Sequence, residues 1–142
     1  MMQLPTEFSE LLRLLNVHEV RYLVVGGYAV AYHGYPPPPA IWISGQNAQR
    51  TYEALQVFGF GVPALKPAFF TQAGRIIRMG HPPLRVEILT SASGVDFGPC
   101  YAQRVVDQMG GISASILGLD CLKRNKKASG RLKDLDDLEK LP

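Results

Sequence analysis

The chain has little cysteine. Only two of its 142 residues, Cys100 and Cys121, are cysteine, and they form no Cys-x-x-Cys pair. Two cysteines so far apart give no ground for a disulfide framework or for a zinc site. We therefore predict two reduced thiols with a structural role.

Long apolar runs are also missing. No stretch reaches the roughly 20 apolar residues that a membrane-spanning helix requires. The first residues, Met-Met-Gln-Leu-Pro-Thr-Glu, lack the basic start and the apolar stretch of a secretory signal peptide. We therefore expect a cytoplasmic protein without a membrane partner.

Charge is sparse and unevenly placed. Hydrophobic residues make up 46% of the chain and charged residues only 19%, which predicts a packed core rather than disorder. At this length a single domain, 1–142, is expected. The net charge is +3, and much of it comes from one segment that contains Lys123, Arg124, Lys126, Lys127, Arg131 and Lys133.

This basic segment allows two interpretations. Such a cluster is typical of a site for phosphate or nucleic acid. Alternatively, it is a solvated helix face on which Asp134 and Asp137 neutralise the lysines in surface pairs worth less than about 1 kcal/mol each. The sequence leaves both open.

Hydrophobic periodicity and turn residues predict an α/β (α+β) fold with a small mixed sheet flanked by helices. The predicted helices cover 6–16, 28–33, 46–58, 96–109, 119–127 and 132–141. The predicted strands cover 21–25, 40–43, 74–79, 84–89 and 112–117. In the fourth strand Val86 and Ile88 alternate with Glu87, so one face belongs to the core and the other presents the carboxylate.

Several segments, in this order and spacing, resemble the nucleotidyltransferase superfamily. The resemblance is strongest to a branch of uncharacterised bacterial proteins and AbiEii-like toxins of phage-defence systems. The segments are Val25-Gly26-Gly27-Tyr28-Ala29, His33-Gly34-Tyr35-Pro36, Arg85-Val86-Glu87-Ile88-Leu89-Thr90, Gly94-Val95-Asp96-Phe97 and the stretch 125–139.

The resemblance implies a site for a nucleoside triphosphate and Mg²⁺. The turn Gly26-Gly27 would lie under the triphosphate, where the next helix offers unpaired N–H groups. Two aspartates, spaced Asp-x-Asp on the following strand, and a third carboxylate would hold the metal. Glu87 matches that third, catalytic and metal-binding carboxylate. The other candidates for phosphate contact are His33, Lys126, Lys127, Arg131 and Lys133.

The chain departs from this pattern where the metal should bind. The two aspartate positions fall on Pro38 and Ala40, whose side chains cannot bind a metal. Two divalent ions about 4 Å apart repel each other by roughly 16 kcal/mol at an effective dielectric constant of about 20. Glu87 and a triphosphate are a poor match for such repulsion, so we expect ordinary two-metal transfer to be lost.

The sequence thus predicts a catalytically degenerate protein, a pseudoenzyme that binds a nucleotide or the phosphate of a nucleic acid. Two alternatives stay open. One is an active nucleotidyltransferase in which Glu87 works with another carboxylate, such as Asp96 or Asp134. The other is an interaction module with a protein partner, for example one half of a toxin–antitoxin or defence pair.

Overall fold

The computed structural model describes residues 6–25, 39–59, 66–79 and 86–142. Its helices are α1 (Thr6–Val17), α2 (Ala48–Phe58), α3 (Phe97–Ala102), α4 (Leu119–Ser129) and α5 (Leu132–Lys140). Its strands are β1 (Tyr22–Val25), β2 (Pro39–Ile43), β3 (Ile76–Met79), β4 (Val86–Leu89), β5 (Val105–Met109) and β6 (Ile112–Ile116). Two 3-10 turns cover Gly45–Asn47 and Pro67–Thr71.

The six strands form one mixed sheet in the order β3-β4-β2-β1-β6-β5. β2 runs parallel to β4, and β1 runs parallel to β6. The other three neighbouring pairs are antiparallel. The prediction of a small mixed sheet flanked by helices is therefore confirmed. The predicted helix 28–33 lies outside the described residues, as does the Gly26-Gly27 turn.

The core forms around β-branched strands and the apolar stripe of α1. Phe8, Leu11 and Leu15 recur on one face of α1 and are fully buried. In the sheet, Val24 pairs with Ile41, which in turn pairs with Ile88. Cross-strand partners share a face of the sheet, so these three buried side chains all lie on one face. The residues next to them in each strand point to the opposite face.

Asn47 joins the start of β1 to the end of β2. Its Oδ1 accepts a hydrogen bond from the backbone N–H of Arg21 at 3.1 Å. Its Nδ2 donates to the carbonyl oxygens of Arg21 and Ser44, both at 3.0 Å. The amide is buried with its partners satisfied, as a buried polar group requires. It holds in register the two strands that form the centre of the sheet.

The predicted helix 96–109 was wrong over its second half. The structure has a short helix, Phe97–Ala102, followed by the strand Val105–Met109. Two β-branched residues, Val105 and Val106, favour a strand at this point. Gly110 and Gly111 both have positive φ, 60° and 84°, as tight hairpin turns require. The glycine pair therefore closes a hairpin of β5 and β6.

The prediction of two separate thiols was also wrong. The structure joins Cys100 of α3 to Cys121 of α4 in a disulfide, with the Cα atoms 6.0 Å apart. Both side chains are buried. The two cysteines are 21 residues apart in sequence, and the β5–β6 hairpin between them returns the chain to α3. The pairing could not be predicted because this hairpin was not predicted.

Within the described parts of the chain, no helix is long and apolar enough to cross a membrane.

Candidate phosphate-binding site

A cavity of about 470 Å³ lies between the sheet and the last two helices. The sheet contributes side chains from β1, β2, β3 and β4. The loop after β4 contributes Ser91, Ala92 and Ser93, and Asn125 and Lys126 of α4 form part of the opposite wall. Asn125 ties these two walls together, because its Nδ2 donates to the carbonyl oxygen of Ser93 at 2.9 Å.

The floor of the cavity is one row of cross-strand partners. Val25 of β1 pairs with Ala40 of β2, and Ala40 pairs with Glu87 of β4. Glu87 pairs in turn with Arg78 of β3. Partners in adjacent strands point to the same side of a sheet, and all four residues line the cavity. Ala40 and Glu87 are therefore immediate neighbours on this floor.

Glu87 is bound to an arginine of its own hairpin. Its Oε2 accepts a hydrogen bond from Nε of Arg78 at 2.6 Å. The Glu87 side chain is 32% exposed and the Arg78 side chain 59%. Such a charge-assisted bond is stronger than a neutral one, so the carboxylate is both partly neutralised and fixed in position.

On the helical wall, Lys126 is at the centre of a buried ion cluster. Its Nζ donates to Asp134 Oδ1 at 3.3 Å and to Asp137 Oδ2 at 3.1 Å. Lys126 is only 7% exposed, Asp134 2% and Asp137 3%. These contacts join α4 to α5. The expected surface pairs were thus wrong for Lys126, because the packing of the two helices buries its ion pairs.

Two exposed cations complete the cluster. Arg131 donates from Nε to Asp134 Oδ2 at 2.7 Å and from Nη2 to Asp134 Oδ1 at 3.3 Å. Lys133 forms an ion pair with Asp137 at 3.5 Å. Each buried aspartate therefore has one buried and one exposed cationic partner. Among these charged groups, Lys126, Arg131 and Asp134 line the cavity.

These contacts shift two pKa values. Burial alone would raise the pKa of Asp134, but the hydrogen bonds from Arg131 and Lys126 outweigh it, and the pKa lies below its ordinary 3.8. The hydrogen bond to Asp134 raises the pKa of Arg131, with a smaller contribution from the charge of Glu87. The negative charge of Glu87 on the sheet therefore acts on the Arg131 guanidinium across the cavity.

The lowered pKa of Asp134 predicts an acid-sensitive contribution to stability. Because the pKa is lower in the folded state, the contribution is full above pH 3.8 and is lost as the pH falls through the folded value. We expect the stability gap between wild type and Asp134→Asn, measured by urea unfolding, to narrow below that pH. Asp136→Asn, which changes an exposed acid paired with Lys140, is the control. An equal gap for Asp134→Asn at acidic and neutral pH would contradict this account.

The structure brings together three of the predicted site residues, Glu87, Lys126 and Arg131, around one cavity. Lys133 and Lys127 do not line it, and Lys127 is exposed. Gly26, Gly27 and His33 lie outside the described residues, as does Pro38. The roles assigned to all these residues stay predictions.

Sequence reasoning missed Arg75 and Arg78, which both line the cavity. Arg78 faces Glu87 only because β3 and β4 pair in one particular register. The hairpin pattern predicted that the two strands pair, but the residues of the connection did not specify the register. Arg75 lies just before β3, where its Nε donates to Gln72 Oε1 at 2.8 Å.

The side chains present do not fit a two-metal centre. Ala40 is where the resemblance places a carboxylate, and Glu87 is already paired with Arg78. Among the described residues, no group of three or more acidic, histidine or cysteine side chains is placed to hold a metal. A divalent ion about 4 Å from a guanidinium would be repelled by about 8 kcal/mol at an effective dielectric constant of about 20. The donor set therefore disagrees with the magnesium site that the resemblance implies.

Comparison with solved structures identifies the fold. The chain is similar to a protein of Thermotoga maritima described as a "putative nucleotidyltransferase", with a TM-score of 0.62 and 16% sequence identity. The match covers 94% of this chain and 88% of that one. No protein-family model and no curated protein matches the chain. The chain has a nucleotidyltransferase-like fold.

Proposed function

We propose that this protein is a catalytically degenerate nucleotidyltransferase-fold protein that binds the phosphate of a nucleotide or nucleic acid in the cavity between the sheet and α4–α5. The observation that carries the proposal is Ala40 beside Glu87 on the cavity floor. The fold retains a cavity of suitable size, and a methyl group stands where a metal ligand is expected.

The chemistry of the cavity supports a phosphate ligand. Arg75, Arg78 and Arg131 all line it, and guanidinium groups bind phosphate through paired N–H donors. The only lining carboxylates among the described residues are Glu87 and Asp134, and each is paired with one of these arginines. An anionic ligand thus meets carboxylates whose charge is already compensated.

A substitution that fills the cavity tests its role in binding. We expect wild type to bind at least one nucleotide at millimolar concentration or below in calorimetric titration. Ala40→Phe should weaken that binding by about tenfold or more, because the ring occupies the floor without altering any charge. Val57→Phe, on the 63% exposed position of α2, is the matched control and should bind as wild type does.

If no nucleotide binds wild type at millimolar concentration, the ligand assignment fails. Equal binding by wild type and the Ala40→Phe variant would place the ligand elsewhere on the molecule. Circular dichroism of both variants confirms that they are folded.

One observation favours a second candidate, an active nucleotidyltransferase with a rearranged carboxylate set. Asp134 lines the same cavity as Glu87, whereas Asp96 does not. Transfer of a labelled nucleotide to a protein, RNA or small molecule, lost in Glu87→Ala, would support it. The two hydrogen-bonded cations on Asp134 count against its use as a metal ligand. The interaction-module alternative stays a prediction.

A further inference from the structure

The pair formed by Arg78 and Glu87 carries an inference about the ligand, and it rests on the proposed function. The resemblance to the nucleotidyltransferase superfamily implies that the third carboxylate, matched here by Glu87, holds a metal ion. Here the positively charged partner of Glu87 is the guanidinium of Arg78 on the neighbouring strand, whose Nε donates to Glu87 Oε2 at 2.6 Å. The cation at this place in the cavity is thus part of the chain.

Arg78 retains donors for a ligand. Its bond to Glu87 uses Nε, and the bond of Arg75 to Gln72 uses Nε as well. The paired Nη groups of a guanidinium can then donate to a phosphate in a bidentate arrangement. Both side chains line the cavity at the β3 edge, and Arg131 lines it from the start of α5. A phosphate between these walls would therefore have arginine side chains on both sides.

We propose that the cavity binds the phosphate of a nucleoside monophosphate without a divalent metal, with Arg78 in place of the metal ion and Glu87 as the residue that positions Arg78. A monophosphate suits such a site because arginine side chains can neutralise its two negative charges without a metal ion. A magnesium-bound triphosphate suits it poorly, since its metal would approach the guanidinium and would meet two lining carboxylates that are already paired with arginines.

Calorimetric titration with AMP and ATP, each with excess magnesium or with EDTA, tests this. We expect AMP to bind equally well, within about twofold, in magnesium and in EDTA, and more tightly than magnesium-bound ATP. Arg78→Gln should weaken AMP binding by about tenfold or more, since it removes a charge-assisted contact. Arg13→Gln is the matched control, because Arg13 is also exposed and paired with a glutamate, Glu10, but lies on α1 away from the cavity.

Glu87→Gln separates an arginine site from a metal site. Glutamine keeps an oxygen that can accept the Arg78 bond and removes a negative charge near the phosphate. We therefore expect it to tighten AMP binding in EDTA by about twofold or more. At a metal site the same change would abolish binding, because it removes a ligand of the ion.

The outcomes distinguish this inference from the proposed function. AMP binding that needs magnesium, or that is lost in Glu87→Gln, overturns the inference and leaves a nucleotide-binding protein. AMP binding unchanged in Arg78→Gln also overturns it, since the arginine would then not contact the phosphate. Binding of no nucleotide under any condition overturns the proposed function, and the inference falls with it.

Discussion

Lys126→Met is expected to destabilise the protein by about 3 kcal/mol. The methionine fills a similar volume, so the cost is electrostatic. Asp134 and Asp137 are 2% and 3% exposed and would lose their shared buried cation, keeping only Arg131 and Lys133 at the surface. Removing one partner of a buried ion pair leaves an uncompensated charge, which costs far more than the loss of a surface pair.

Chemical unfolding of Lys126→Met beside Lys127→Met measures this effect. Lys127 is the next residue of α4 and is exposed, so its substitution removes the same charge from the same helix without touching the cluster. It should change the free energy of unfolding by less than about 0.5 kcal/mol. Similar stability losses in the two variants would show that the cluster contributes no more than a solvated helix face does.

Gly94→Ala is expected to cost about 2–4 kcal/mol, for two separable reasons. Gly94 has φ of 74°, a conformation that alanine adopts with strain. A Cβ at this position would also overlap the Cβ of Ala128 on α4. Either the turn or the helix must move, and both carry residues that line the cavity, namely Ser93 and Asn125.

Two further variants separate the causes. Gly111→Ala has a comparable φ, 84°, and nothing within 4 Å of the new Cβ, so it measures the backbone strain alone. Combining Gly94→Ala with Ala128→Gly removes the overlap. In a double-mutant cycle, Gly94→Ala should therefore cost less when residue 128 is glycine. A cycle without coupling would mean that the close approach of the turn and α4 carries no energy.

Much of the fold could be predicted because its signals are local. Alternation placed Val86 and Ile88 in the core and Glu87 on the other face, and the structure has that pattern. Gly59 ends α2 with φ of 99°, as a glycine after an apolar helical stripe suggests. The strand β5 was missed because the two residues between the helix and Val105–Met109 are Gln103 and Arg104, not glycine or proline. Only the glycine pair after the strand marks the hairpin.

The candidate site could be predicted only in part, because its contacts are between segments distant in sequence. Glu87 and Lys126 could be identified as candidates, but their partners depend on strand register and on helix packing. A lysine with two aspartates eight and eleven residues later is as typical of a solvated surface as of a buried cluster. The disulfide was likewise invisible until the β5–β6 hairpin brought Cys100 and Cys121 together.

That disulfide gives part of the chain a closed covalent topology. Residues 100–121 form a ring that contains the whole β5–β6 hairpin and its Gly110-Gly111 turn. A protease that cuts the turn would open this ring without separating two fragments. The two pieces would remain joined in denaturant and would part only after reduction, so a single band on a non-reducing gel is no proof of an uncut backbone.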